Sequence, residues 1–229
     1  MTFLTPDQTA QLLWGLRTTV FLFAVSWVLS FTVALTLIVL RSTNLAPLRW
    51  FVDIFVAYHR NVPLLVHVLF WYFAIPEVLP ETIRFWLYDH GAEFTLAAIA
   101  LGLGNSAYVA EDIRSGLRAI PTTQYEAATA LGCGYLNTMR YIIVPQALRI
   151  SLPPLVGRAL LLFKNTSVAM AIGVAELTYQ TREIENETFR TFTVFGIATV
   201  LYLLGTFLIM AFGAWLNSRT RITDGRAAK

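Results

Sequence analysis

Apolar positions in this chain fall in long unbroken runs rather than in the one-sided stripes of a soluble helix. Thr18 to Leu40 carries no charge and is bounded by Arg17 and Arg41, and Phe192 to Leu216 is equally uncharged. Phe94 to Ala110 is a third such run, with Gly102, Gly104, Asn105 and Ser106 inside it. A bilayer span takes roughly 20 apolar residues. These runs therefore predict membrane helices over 18–40, 94–112 and 192–216. Two further apolar stretches, 50–75 and 152–174, contain polar groups: Asp53, His59, Arg60, Asn61 and Pro63 in one, Pro153, Pro154, Arg158, Lys164, Asn165, Thr166 and Ser167 in the other. Such groups are costly against lipid, so these two helices are expected to line an interior path. Pro63 is tolerable in a span if neighbours satisfy the freed carbonyl. The pattern thus predicts an all-α membrane protein of five transmembrane helices, with one transmembrane domain over 1–217 and a short tail at 218–229. Small residues in the third run point to close helix packing.

Composition supports a bilayer over water as the main solvent. Hydrophobic residues make up 56% of the 229 and charged residues 14%, whereas soluble domains carry about 25% charged. The mean hydropathy is +0.60. The net charge of +3 reflects basic residues at the ends of apolar runs, which is a topology signal rather than a nucleic-acid footprint. The single cysteine, Cys133, excludes an internal disulfide and a multi-cysteine metal site. His59, His67 and His90 have no metal-ligand spacing. No cleaved leader is expected, because the first apolar run is too long for a leader core.

Five spans place the termini on opposite sides. The segments 41–49, 113–151 and 217–229 hold ten Lys or Arg, against four in 1–17, 77–93 and 173–191. The positive-inside rule then puts the N-terminus outside and the C-terminus in the cytoplasm. Segment 113–151 is the only long cytoplasmic one. In it, Thr123 and Glu126 form a T-x-x-E capping box that predicts a helix start. Gly132 suits the left-handed position after that helix. A second short helix is expected to end before Pro145. Two short helices there would form a rigid knob against which a soluble partner can push.

Glu126-Ala127-Ala128, Gly132 and Ile142-Ile143-Val144-Pro145 resemble the EAA loop of binding-protein-dependent ABC importer permeases, with Val144 where that pattern usually has Leu. Arg60-Asn61-Val62-Pro63-Leu64-Leu65-Val66-His67 is similar to the R-x-T-P-L-L-V-Q segment of the polar amino-acid group, with Val62 for Thr and His67 for Gln. Pro145-Gln146-Ala147-Leu148-Arg149 and Lys164-Asn165-Thr166-Ser167 match further strings of that group, and the stretch from Arg60 to Trp86 resembles glutamate/aspartate permease subunits. The resemblance implies that Glu126, Ala127, Ala128 and Gly132 couple the chain to an ATPase subunit dimer, which binds the ATP and Mg. It implies a second permease subunit, a paralogue in glutamate/aspartate systems or otherwise a copy of this chain, and a periplasmic amino-acid-binding protein. It also implies a multi-pass location in a bacterial inner membrane. No cofactor is expected on this chain.

Arg158 and Asn165 are seven residues apart, on nearly one helical face. A buried guanidinium with an amide suits carboxylates, which agrees with the glutamate or aspartate cargo that the resemblance implies; another polar amino acid is the alternative. Arg158 is equally readable as a side chain that snorkels to headgroups or pairs with a helix carbonyl. Asn105, Thr166, Ser167 and Arg60 are the other candidate cargo contacts, and Arg60 and Lys164 have structural pairing as their alternative. Asp53 is expected to pair with a basic neighbour. Trp14, Trp50, Trp71 and Trp86 read as interface anchors. The chain contains no phosphate loop of the G-x-x-x-x-G-K-[ST] type and no nucleophile–base set, so it is not expected to hydrolyse ATP. An ion-coupled carrier would call for an inverted repeat and a midplane ionisable relay; no repeat is visible, and five spans do not divide evenly. A non-transporting assembly factor would leave the cations inside the spans without a use.

Overall fold

The computed structural model describes residues 4–43 and 45–220. The tail beyond Thr220, with Arg221, Arg226 and Lys229 of the orientation count, lies outside the described residues. Among the described residues the chain is helical throughout, in the order α1 (Pro6–Ser42), α2 (Ala46–Asn61), α3 (Leu64–Leu69), α4 (Ile75–Val78), α5 (Glu81–Asp89), α6 (Ala92–Arg118), α7 (Thr122–Ala130), α8 (Tyr135–Thr138), α9 (Val144–Asn165), α10 (Leu177–Thr188) and α11 (Thr191–Thr220). Two π-turns, Phe70–Ala74 and Met139–Ile143, join α3 to α4 and α8 to α9, and a 3-10 segment, Thr166–Ile172, extends α9.

α6 is the centre. It packs against α1 on one side and α9 on the other, with α2 and α3 also against it. Its buried face is built of Ala97, Ala98, Ala100, Gly102, Gly104, Ser106, Ala107 and Ala110 among larger residues. Small side chains let backbones approach, which is the main source of helix association where lipid is as apolar as the partner helix. A Cβ on Gly102 would lie 2.7 Å from the Leu29 side chain, and one on Gly116 would lie 2.6 Å from the Ala147 carbonyl.

α1 follows the same rule. Its buried stripe, Leu12, Gly15, Thr19, Leu22, Ser26, Ser30, Ala34 and Leu37, recurs every three or four residues. The stripe is the small and polar face of the helix, while Val20, Phe21, Val28, Leu35 and Val39 point outward. α11 likewise exposes Leu203, Leu204, Phe207, Leu208 and Phe212. A soluble helix has the opposite arrangement, so these outer faces are solvated by lipid.

By length and apolarity three runs among the described residues are able to cross a membrane: Pro6–Ser42, Tyr135–Ile172 and Thr191–Arg219, with α2 and the 64–78 segment together a fourth. The span expected over 50–75 is not straight. The axis turns by 112° between Asn61 and Leu64, where Val62 is extended and Pro63 precedes α3. A residue before proline is driven out of the helical region, so Pro63 starts a new helix instead of sitting within one. The helix expected from 152 begins upstream: the 38 residues from Tyr135 to Ile172 are continuous. The expected stop before Pro145 is absent because the π-turn lets Val144 N donate to Met139 O, five residues back. That wider turn accommodates a ring that would otherwise clash with the carbonyl four residues back. The same device, Ile75 N to Phe70 O, precedes Pro76.

The capping box expected at Thr123 and Glu126 is also absent. Pro121 occupies the N-cap of α7, no side chain caps it, and both residues lie inside the helix. The other end of α7 follows the expectation. Gly132 has φ +78°, with Gly132 N donating to Thr129 O at 2.9 Å and Cys133 N to Ala128 O at 3.0 Å, a Schellman closure.

Gly116→Ala is expected to lower thermal stability in detergent by about 1–3 kcal/mol, because the new methyl is forced onto the α9 backbone. Gly157→Ala, where the added Cβ would meet no atom of another helix within 4 Å, is expected to be neutral or to stabilise by up to about 1 kcal/mol. Equal melting temperatures for the two variants would contradict the close approach of α6 and α9.

Candidate functional site

The bend at Asn61–Leu64 leaves a wedge between the end of α2, the start of α3, the middle of α6 and the end of α9. A cavity of about 240 Å³ fills it, lined by His59, Val62, Leu64, His67, Leu101, Gly104, Asn105, Tyr108, Arg158, Leu161, Leu162 and Asn165. Helical spacing brings Arg158 and Asn165 to the same wall, as their seven-residue separation implies. Asn105 faces them from α6, its amide nitrogen donating to Ser30 Oγ at 2.9 Å, which leaves its carbonyl oxygen unengaged.

Arg158 neither snorkels nor bonds a helix carbonyl. Its Nε donates to Asp112 Oδ2 at 2.7 Å and its Nη2 to Asp112 Oδ1 at 3.5 Å. The guanidinium also stacks over the Tyr108 ring, 4.6 Å from the centroid. Tyr108 and Asp112 are one turn apart on α6, so one helix face supplies both the counter-ion and the ring. The fork is thereby occupied along one edge, and Nη1 remains for the cavity. Asp112 was not among the expected site residues; its partner lies 46 positions away, beyond any local pattern.

The remaining candidates separate. Arg60 lies outside this cavity, in a shallow depression with Asp53, Asn61 and Tyr108, its guanidinium 5.4 Å from the Tyr108 ring. Tyr108 OH donates to the Arg60 carbonyl at 3.2 Å. Thr166 and Ser167 turn inward on the backbone, donating to Phe163 O at 2.7 Å and Lys164 O at 2.8 Å. They close the end of α9 and do not line the cavity. Asp53 pairs with Arg41 at 2.5 Å, beside a Glu111–Arg114 bridge of 3.2 Å. No cluster of three or more metal-ligating side chains occurs among the described residues.

Two residues that the sequence reading did not assign to the site are prominent here. His67 is 2% exposed, and neither of its ring nitrogens has a hydrogen-bond partner. Glu176, outside the cavity, is fully buried and caps α10, accepting from Thr178 N at 3.0 Å and Tyr179 N at 2.9 Å. It also accepts from Tyr202 OH at 2.8 Å and lies against Thr19 of α1, so one carboxylate joins α1, α10 and α11.

The α7 segment is a separate feature. Ile120, Ile143 and Ala147 form its small core, with Tyr125, Met139 and Ile142 packed on them. Ala128 is buried against the rest, whereas Glu126, Ala127 and Gly132 are exposed. Next to them Leu131, Tyr135, Leu136 and Tyr141 stand mostly in the open, Leu131 at 81% and Leu136 at 79%. An exposed apolar patch on a polar connection marks an interaction surface. The segment links α6 directly to α9, and both of these helices wall the cavity.

The sequence model of the family described as "Binding-protein-dependent transport system inner membrane component" matches residues 38–222. The chain is 29% identical to the Glutamate/aspartate import permease protein GltJ of Escherichia coli (strain K12), over 94% of this chain and 89% of that one. It is 35% identical to the Probable glutamine ABC transporter permease protein GlnP of Bacillus subtilis (strain 168), over 83% and 85%. Among solved structures, one described as an amino acid ABC transporter with histidines superposes with a TM-score of 0.81 at 28% identity, covering 93% of this chain and 95% of that one. An inward-facing MetNI methionine ABC transporter shares the fold, with a TM-score of 0.75 at 20% identity over 96% of this chain and 100% of that one.

Separate replacement of Asp112 and Arg158 by Ala is expected to cost about 1–3 kcal/mol each, because each strands the other's part-buried charge. The double replacement is expected to cost clearly less than the sum, as read from a double-mutant cycle on thermal unfolding. Simple additivity would mean that the pair does not carry the contact.

Proposed function

Because the chain belongs to the family of binding-protein-dependent transport inner-membrane components, we propose that it forms one half of the translocation pathway of an ATP-driven importer of polar amino acids. The observation that carries this reading is mechanical. The exposed α7 knob is the direct link between α6 and α9, and those two helices carry Asn105, Tyr108, Arg158 and Asn165 into the cavity. A partner that displaces the knob must move both walls.

The chain is a transport subunit and not an enzyme; ATP is hydrolysed on a separate ATPase. An ABC importer permease works with such an ATPase and with a binding protein. The reading adds a second permease subunit across the pathway, a Glu126-to-Gly132 knob seated on the ATPase dimer, and cargo delivered by a periplasmic binding protein. ATP binding closes the ATPase dimer, the knobs follow, and the cavity opens outward. Hydrolysis of the Mg-bound ATP returns it to the inward-facing state.

The five-span topology is part of the proposal. α6, 27 residues long, extends about 40 Å, enough to cross a bilayer. Its lower apolarity is compatible with that role because α1 and α9 shield it from lipid. The arginine balance supports an outer N-terminus and a cytoplasmic α7, in a bacterial inner membrane.

Cargo follows less directly. Arg158 agreed with an acidic cargo as a buried guanidinium, and Asp112 occupies one edge of it. Relatives named for glutamine are as similar as the one named for glutamate/aspartate. The common element, a polar α-amino acid, is the cargo of this proposal.

Two tests follow from the geometry. Cys133, the only cysteine, lies beside Gly132 at the knob. In membranes containing this chain without the ATPase, a membrane-impermeant maleimide is expected to label it at least tenfold faster in inside-out than in right-side-out vesicles. The reverse ratio would overturn the orientation. Gly132→Asp, which adds a charge at the exposed left-handed turn of the knob, is expected to reduce ATP-driven uptake more than tenfold while membrane insertion is unchanged. Normal uptake would remove the docking role.

A further inference from the structure

The end of the bundle that carries the α7 knob has a second cavity, separate from the one walled by Asn105 and Arg158. It is an open groove of about 410 Å³ between α1, α2 and α6. Its lining is sorted by depth on all three helices. On α1, Leu37 and Ile38 lie one turn deeper in the bundle than Arg41. On α2, which runs inward from the same end, Val52 and Val56 lie one and two turns deeper than Arg49. On α6, Ala110 lies one turn deeper than Arg114. Leu37, Val52, Val56 and Ala110 belong to one buried cluster, so the deep part of the groove is an apolar floor. The three arginines stand at its mouth, and Ser42, Glu111 and Leu117 complete the lining.

The mouth is not neutral. Arg41 pairs with Asp53 and lies 3.9 Å from Glu111, and Arg114 pairs with Glu111 at 3.2 Å. Both bridges run through Nη1, so neither arginine is held in a two-pronged fork. Arg49 is exposed and forms no ion pair among the described residues. Three guanidiniums thus meet two carboxylates, and one positive charge is left over. Trp50, next to Arg49, is 70% exposed. An exposed tryptophan at the end of a membrane helix sits at headgroup level, which places the mouth of the groove in that layer.

We propose that this groove binds an anionic phospholipid, with the phosphate at Arg41, Arg49 and Arg114 and the first methylenes of the acyl chains on the apolar floor. Basic pockets between membrane helices hold phospholipid headgroups, and the guanidinium fork matches phosphate oxygens. The lining, basic at the surface and apolar beneath, has the order of a lipid in the same leaflet. A soluble anion would leave the floor in contact with water. A lipid with one net negative charge offsets the surplus at the mouth. A zwitterionic lipid carries a cation beside its phosphate and leaves that surplus in place. The site is distinct from the cargo cavity, and the inference stands whether or not that cavity takes an amino acid.

The test is native mass spectrometry of the protein purified from its own membranes with its partners, delipidated by detergent exchange and titrated with dioleoyl phosphatidylglycerol or dioleoyl phosphatidylcholine. Phosphatidylglycerol is expected to bind at least fivefold more tightly than phosphatidylcholine. One basic residue near the membrane surface is worth about fivefold in binding an anionic lipid. Arg49→Gln is therefore expected to weaken phosphatidylglycerol binding about fivefold and to leave phosphatidylcholine unchanged. Arg49→Lys, which keeps the charge, is expected to lose less than twofold, and Arg219→Gln, outside the groove, nothing. Arg49 is exposed and unpaired, so these variants leave the fold intact. Equal affinity for the two lipids would overturn the anionic selection. Undiminished phosphatidylglycerol binding in Arg49→Gln would overturn the groove as the site. Displacement of the lipid by an equal concentration of glycerophosphoglycerol, the same headgroup without chains, would mark a soluble-anion site and overturn the lipid reading.

Discussion

Close backbone approach along α6 is the constraint on which the rest of the structure depends. Lipid gives apolar side chains no incentive to leave it, so these helices cannot be held together by sequestering leucine and phenylalanine. Contact must come from packing and from polar groups that meet only inside the bundle. Ala97, Gly102, Ala107 and Gly116 bring α6 against α1 and α9. Ser30 receives Asn105 across one seam, and Ser151 spans the other by donating to Asp112 O at 3.2 Å. The large side chains of α1 and α11 are left to the bilayer.

The cavity exists because of this arrangement and because the chain interrupts it once. Tight packing leaves no room for a polar compartment between straight helices. The turn at Asn61–Leu64 swings α2 away from α3 and opens the wedge into which His59, His67, Asn105 and Arg158 project. Asp112 then keeps the Arg158 guanidinium in a fixed pose on the Tyr108 ring. The pocket is thus polar in its hydrogen-bonding groups while almost balanced in charge.

Much of the fold was legible because it depends on composition and local spacing. Uninterrupted apolar runs marked the long helices, the seven-residue step put Arg158 and Asn165 on one wall, and Gly132 stood where a left-handed residue was needed. Other features were illegible for physical reasons. Hydropathy has no direction, so 50–75 read as one span although Pro63 forces a turn. A T-x-x-E string marks a cap only if its first residue lies outside the helix, and Pro121 had already begun α7. The Arg158–Asp112 pair and the clamp at Glu176 join positions far apart in the chain, and no periodicity reports them. His67 stood out in sequence only as a departure from the Gln of a similar string, and the burial of its ring is visible only in three dimensions.

The π-turns that let the helices run through Pro76 and Pro145 have a consequence for everything downstream of them. A π-turn inserts one residue into the helical count, and one residue is about 100° of rotation in an α-helix. The angular phase of α9 is therefore set at Met139–Ile143, some four turns before Arg158. With that residue removed, the same side chains would follow in the same order, but the guanidinium would point to a different neighbour. The facing of the cavity wall is in this sense written at the knob end of the helix, in the number of residues between Gly134 and Pro145 and not in their identity.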